Sequence, residues 1–355
     1  MGRMSGDRAV STVMDVAMAL LLISASVLLV GLHLSGSDDE FDDDRADRTA
    51  ELLGESTLSV RYSLADTAPI DDRAGESYRT EYGSATGLLA DAAVANARID
   101  GTRIRPAGDE FETAVDASVE SALVGSSGDF YAVAEWEPYD NASINGTATA
   151  GERPPPTADV SSVTLTASSG FPAVDSAEIE RAYLDGGTDW NEYLGNRTDR
   201  IDTPENKSFE AAGMVVGSAI VDGYFPPADT QRTLESQGVS HELAVFRYEQ
   251  IVAPLEYEFT GTTNPDHHGP LKRDEADAVE ANAQVLRGLE DADAFGRNGL
   301  GHWIGKDLQT ALEPEIAAIE EKYDGDRRDE EIAALLADEI STADVTITIQ
   351  TWNHD

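Results

Sequence analysis

The sequence predicts an α+β protein. It reads as a single N-terminal transmembrane helix followed by a soluble extracellular body with an antiparallel or mixed sheet and several amphipathic helices. Three observations predict this. One long apolar run occupies residues 10–34. Period-two alternation marks strands near both ends of the remaining chain. Helical spacing of apolar residues fills much of the stretch between.

The apolar run reads VSTVMDVAMALLLISASVLLVGLHL, from Val10 to Leu34, with Asp15 as its one acid and His33 as its one histidine. As a helix it would be about 37 Å long, and a bilayer core needs about 20 residues. Arg3 and Arg8 precede it, and Asp38, Asp39, Glu40, Asp42, Asp43 and Asp44 come after it. Basic flanks stay on the cytoplasmic side, so the reading is a single-pass chain with its N-terminus inside and its body outside. Met214 to Phe225 is the next most apolar run, but Gly217, Asp222 and Gly223 interrupt it. Its length is that of a core helix. Residues 35–50 read as an acidic tether held extended by like charges, and 51–355 as the extracellular α+β domain.

The chain has 68 acidic and 25 basic residues, a net charge of -43, and its cations are nearly all arginine. Hydrophobic residues make up 41% of it, which is too many for a disordered acidic chain. The combination predicts a folded body with a highly charged surface, of the kind that tolerates molar salt, and a halophilic source. A nucleic-acid partner is excluded on the same ground, since phosphates need a basic face. With no cysteine there is no disulfide, thiolate metal site or cysteine nucleophile.

Within the body, Leu58, Val60, Tyr62 and Leu64 alternate with polar residues and predict a strand; 66–76 reads as a loop. Helices are expected over 88–99, over 111–123 with a stop at Gly125, over 177–194 and over 209–221. Strands are expected over 130–136 and 160–166, joined by a long exposed flap containing Pro154, Pro155 and Pro156. Residues 229–251 read as two helices around Gly238-Val239-Ser240, superficially a helix-turn-helix. The second of them carries Arg247 as its one fixed positive charge, so the pair reads as packed helices and not as a DNA reader. Later helices are marked by Val279 to Leu289, by Leu308 to Ile319 with a restart at Pro314, and by Ile332 to Ile340. The last segment alternates Val345, Ile347 and Ile349 with Thr346, Thr348 and Gln350, a one-sided strand.

Four N-glycosylation sequons begin at Asn141, Asn145, Asn196 and Asn206, in keeping with an external body. No catalytic set is recognisable: there is no G-x-S-x-G elbow, Walker loop or G-x-G-x-x-G. Asp266-His267-His268 and His241-Glu242 lack the spaced partners of a metal site, so no metal and no cofactor is expected. Gly299 to Gly305 is glycine-rich without phosphate-loop spacing and reads as a turn before a helix starting near Trp303. The expectation is a non-enzymatic protein.

The junction before the apolar run reads Asp7-Arg8-Ala9, then Val10-Ser11. Charged, charged, small, then apolar is the pattern cut by archaeal prepilin peptidases. The wording RAVSTV resembles the RAVSPV opening of type IV pilins from halophilic archaea. The resemblance covers the first 34 residues or so and departs at Thr12, where those pilins carry proline, and at Asp15. It implies a leader of residues 1–9, cut between Ala9 and Val10 after Arg8 by a prepilin-type peptidase. Its implied partners are the lipid bilayer and other pilin-like subunits. Bacterial type IV pilins use an early-helix glutamate in assembly, and Asp15 stands near that position. The sequence therefore reads as a membrane-anchored, externally facing pilin-like assembly protein. The alternative is a single-span surface binding domain, or an ectoenzyme, that uses the helix only as an anchor.

Overall fold

The structure is a computed structural model; it describes residues 45–64, 78–105, 107–123, 129–186, 204–255, 269–288 and 299–353. In chain order these form α1 (Arg45–Glu55), β1 (Thr57–Ser63), β2 (Tyr78–Ser84), α2 (Ala85–Ala95), β3 (Arg98–Ile99), β4 (Thr102–Arg103) and α3 (Gly108–Ala122). Next come β5 (Asp129–Trp136), β6 (Ile144–Gly151), β7 (Ser161–Ser168), α4 (Ser176–Asp185), α5 (Pro204–Tyr224), α6 (Pro227–Leu234) and α7 (Val239–Val252). The last elements are α8 (Ala278–Arg287), α9 (Leu300–Ala311), α10 (Glu313–Lys322), α11 (Gly325–Glu339) and β8 (Asp344–Trp352).

The α+β body stands, but the fold class is corrected at its head. No helix among the described residues is long and apolar enough to cross a membrane. The longest, α5 at 21 residues, is interrupted by glycines and Asp222. The expected span, 10–34, lies outside the described residues. Residues 45–50, the last of the expected tether, are helical. Helix α1 begins at Arg45, and Ala46, Thr49 and Leu53 are buried at helical spacing.

Six strands form one sheet in the order β4-β3-β6-β5-β8-β7, every neighbouring pair antiparallel, and β1 and β2 form a separate hairpin. The final strand does not sit at an edge. It threads between β5 and β7, so the sheet closes only when the C-terminus arrives. The alternation read from its sequence becomes two faces. Ala148, Ala134, Ile347 and Leu165 line up across four strands on the covered face. Thr147, Glu135, Thr346 and Thr166 line up on the exposed one.

Helices α1, α2 and α3 cover the apolar face. Helix α2 is buried nearly all round, which is why its sequence is alanine-rich. Small residues let it lie close to β6: a Cβ at Gly146 would stand 2.2 Å from the Ala93 carbonyl oxygen. Ser84 starts α2 by accepting a hydrogen bond from the Gly87 amide at 3.0 Å. Aromatic edge contacts run from Trp136 to Phe171 and on to Tyr224, joining sheet and helices. Asp307 of α9 ties down the β5–β6 turn by accepting from the Tyr139 hydroxyl at 2.8 Å and the Ser143 amide at 2.9 Å. Helices α5 and α9 form the most extensive helix pair and meet along their glycines.

The long flap expected between the strands at 130–136 and 160–166 is corrected. Residues 144–151 are β6, a central strand. Its sequence, INGTATAG, hides the alternation, because the buried positions are Gly146, Ala148 and Ala150. The exposed remainder is 152–160. The helix expected over 177–194 ends at Asp185, where Gly186 takes the left-handed conformation at φ 56°. The glycine-rich 299–305 segment is likewise not a turn but the first turns of α9.

Past its short pairing with β3, strand β6 leaves an open edge, and α3 caps it with carboxylates. Glu112 accepts from the Thr149 amide (2.8 Å) and from the Asn96 side chain (2.6 Å), and Asp116 accepts from the Gly151 amide (2.8 Å). Asn96 also donates to the Thr147 carbonyl at 3.1 Å. Glu112→Ala is expected to lower stability by about 2 kcal/mol, since charge-assisted bonds to otherwise unpaired amides are worth roughly 1.5–3 kcal/mol. The check is the urea midpoint at fixed salt. An unchanged midpoint would show that water replaces the carboxylate at no cost.

Candidate functional site

A pocket of about 290 Å³ opens where β1, β2, α2, the approach to α3, the β7–α4 connection, α5 and α7 meet. Its apolar surface comes from Leu64, Val94, Phe111, Phe171 and Leu243. Its polar surface comes from Tyr62, Glu81, Asp91, Arg105 and Arg247.

Tyr62, Arg105 and Arg247 each have a local reason for their place. Tyr62 is held by its ring against Phe111, centroids 4.9 Å apart. Arg105 comes directly after the buried Ile104, whose amide donates to the Ala97 carbonyl at 2.9 Å, so the chain enters α3 from a fixed point. The Arg105 guanidinium then lies 5.0 Å from the ring centroid of the buried Tyr224. Tyr224 is itself pinned by its hydroxyl, which donates to the Val94 carbonyl at 3.0 Å. Arg247 comes from α7, which packs through Leu243, Ala244, Tyr248, Ile251 and Val252. Helix α3 begins at the same place: Ala107 and Gly108 line the pocket, and no side chain caps that terminus.

The electrostatics are unusual for so acidic a chain. Burial pulls Arg247 down to about 9, and the neighbouring Arg105 and Arg79 push the same way. Burial raises the Tyr62 hydroxyl, with Arg79 the main opposing influence. Asp91 is exposed at the rim, yet desolvation of its carboxyl raises it, Glu81 adds to the rise and Arg105 opposes it. Burial also raises Tyr224, against the pull of Arg105. Arg105 and Arg79 thus act on Arg247, and Arg105 and Arg247 share the lining with Glu81 and Asp91. Among the described residues, neither Arg105 nor Arg247 forms an ion pair. A partly dry pocket with two guanidiniums in its lining offers an anion two strong donors.

Sequence reasoning noted Arg247 only as a lone charge on the second helix of a pair, and missed Arg79 and Arg105. The available signal was local. Arg98, Arg103 and Arg105 fall within eight residues of a chain where acids outnumber bases by more than two to one. The helix pair itself is as read: α6 and α7 pack together, and His241 bonds the Leu234 carbonyl at 2.6 Å.

The other singled-out residues are scattered. Arg8, Ala9, Val10, Asp15, Asn196 and the Asp266-His267-His268 cluster lie outside the described residues. Asn141 is exposed in the β5–β6 turn at φ 60°. Asn145 is exposed but sits on β6 opposite Arg98, its amide donating to the Ala142 carbonyl at 2.8 Å. Asn206 falls in the first turn of α5. Among the described residues no three His, Asp or Glu side chains are grouped to hold a metal ion.

The fold and pocket define a strongly acidic α+β protein with a one-sided antiparallel sheet and an arginine-lined cleft. The chain belongs to DUF7284, a family of unknown function, whose pattern matches residues 14–352. No curated protein and no solved structure matches it.

Proposed function

We propose that this chain is a pilin-like structural and assembly protein, not an enzyme, held at the outer face of a halophile's cell membrane by its apolar N-terminal segment. The observation that carries the reading is the junction Asp7-Arg8-Ala9 placed directly before the apolar run that opens at Val10. Two others support it. The family match starts at residue 14, so most of that run belongs to the same family pattern as the body. The net charge of -43 suits a body that works in concentrated salt. A prepilin-type peptidase removes residues 1–9, the lipid bilayer holds the remaining apolar segment, and other pilin-like subunits pack beside it. Asn141, exposed in a turn, is presented for a glycan.

The expected result of terminal-peptide mass spectrometry on the protein from its own cells is a mature N-terminus at Val10. A chain that retains residues 1–9 overturns the reading. Cutting creates a charged amine at Val10, and Asp15 of one subunit pairs with that amine on its neighbour. Asp15→Asn should therefore be cut normally and be missing from higher-order complexes. A variant that is cut and assembles like the parent removes the role of Asp15.

A further inference from the structure

We propose that the pocket formed by Arg105, Arg247 and the N-terminus of α3 binds a small organic monocarboxylate, with the carboxylate on the two guanidiniums and the apolar part against Phe111, Phe171 and Leu243. The proposal is independent of how the N-terminal segment is processed.

Three independent features converge on one point. The first is the pair of guanidiniums, Arg105 fixed over Tyr224 and Arg247 brought in by α7. Neither has an ion-pair partner among the described residues. A planar guanidinium fork matches a carboxylate bidentately. The second is the start of α3, a 15-residue helix with no side-chain cap at Ala107. Its first amides supply donors and the positive end of a dipole. Gly108 belongs to this arrangement, since a Cβ there would stand 2.8 Å from the Ala95 carbonyl oxygen. The third is the size and lining: about 290 Å³ with Phe111, Phe171 and Leu243 on its walls, at the small end of ligand pockets.

Charge bears on the class of anion. The lining carries Arg105 and Arg247 against Glu81 and Asp91, and Arg79, outside the lining, is close enough to act on Arg247. A phosphate near its dianionic form brings two negative charges to a lining that already holds two carboxylates, and a monoanion brings one. The apolar wall favours a carboxylate that carries hydrocarbon over one that is polar throughout.

The test is calorimetric titration of the purified full-length chain, at the lowest salt that keeps its circular dichroism native. The probes are phenylacetate, phenylacetamide and inorganic phosphate. Phenylacetate should saturate one site, and its Kd should rise at least tenfold in Arg247→Met and in Arg105→Gln. Asp91→Asn should tighten binding severalfold. Phenylacetamide, the neutral isostere, should bind at least tenfold more weakly than phenylacetate, and phosphate should be weaker too. The amide and phosphate comparisons use the parent chain, so they stand even if a variant fails to fold. Four results overturn the proposal: no saturable binding of phenylacetate, equal binding of the amide, tighter binding of phosphate, or parent-like affinity in a folded arginine variant.

Discussion

Gly213→Val is expected to remove most of the stability of the fold, by about 3–5 kcal/mol, enough to unfold a marginal domain. The reason lies between α5 and α9. A Cβ at Gly213 would stand 2.3 Å from the Gly301 carbonyl oxygen, 2.3 Å from the Gly305 nitrogen and 2.7 Å from the Gly305 Cα. Reciprocally, a Cβ at Gly305 would stand 2.6 Å from the Phe209 carbonyl oxygen and 2.8 Å from the Glu210 Cα. Gly213 and Gly217 lie one turn apart on α5, and Gly301 and Gly305 one turn apart on α9. Two small-x-x-x-small faces are therefore pressed together backbone to backbone. The obstructing atoms are main chain, so no rotamer change relieves the collision. The helices must separate, and the contacts around Met214, Val216, Leu300 and Ile304 go with them. Gly54→Ala in α1 is the matched control. Nothing lies within 4 Å of the added Cβ there, and helix propensity should yield about 0.5–1 kcal/mol of stabilisation. Chemical denaturation at constant salt reads both. A Gly213→Val chain with the parent's midpoint would mean that the helices do not approach as described.

Arg247→Met is expected to act in the opposite direction and raise stability at pH 7 by about 1–2 kcal/mol. Methionine fills much of the same space without a charge to desolvate. The folded chain holds the proton of Arg247 less tightly, at about 9, well below the ordinary guanidinium range. At pH 7 the side chain is charged in both states, and its desolvation cost is fully present. From about 9 up to the ordinary guanidinium range the unfolded chain binds more protons than the folded one at this residue. The parent's relative stability therefore rises with pH through that window. The gap between variant and parent should be constant from pH 6 to 8 and narrow above about 9. Paired urea melts from pH 6 to 10.5 measure it. A variant no more stable than the parent at pH 7 would show that the charge is well solvated. A cation kept in place against folding stability is what a binding site requires, so this experiment bears on the pocket before any ligand is known.

Much of the body was legible in the sequence. Strand β1, strand β8 and helices α3 and α11 announce themselves by period, because each buries one face and leaves the other more open to water. Pro314 marks the restart at α10, since a proline is tolerated in a first turn and nowhere further in. Strands β2 and β6 were not legible. In β2 no residue is fully buried, so no alternation is imposed on YRTEYGS. In β6 the buried side is glycine and alanine, because α2 lies too close for anything larger, and small residues carry almost no hydropathy signal.

The sequence by itself determined the charge, the absence of thiol chemistry, the one-sided strands and the amphipathic helices, all of which are properties of composition or short-range period. Only the tertiary structure decided that the last strand lies inside the sheet and that Gly213 meets Gly305. It alone decided that Arg105 and Arg247 share a cavity. Those residues are separated by tens to hundreds of positions, and their chemistry comes from mutual distance and lost water. Neither quantity is set until distant segments pack together.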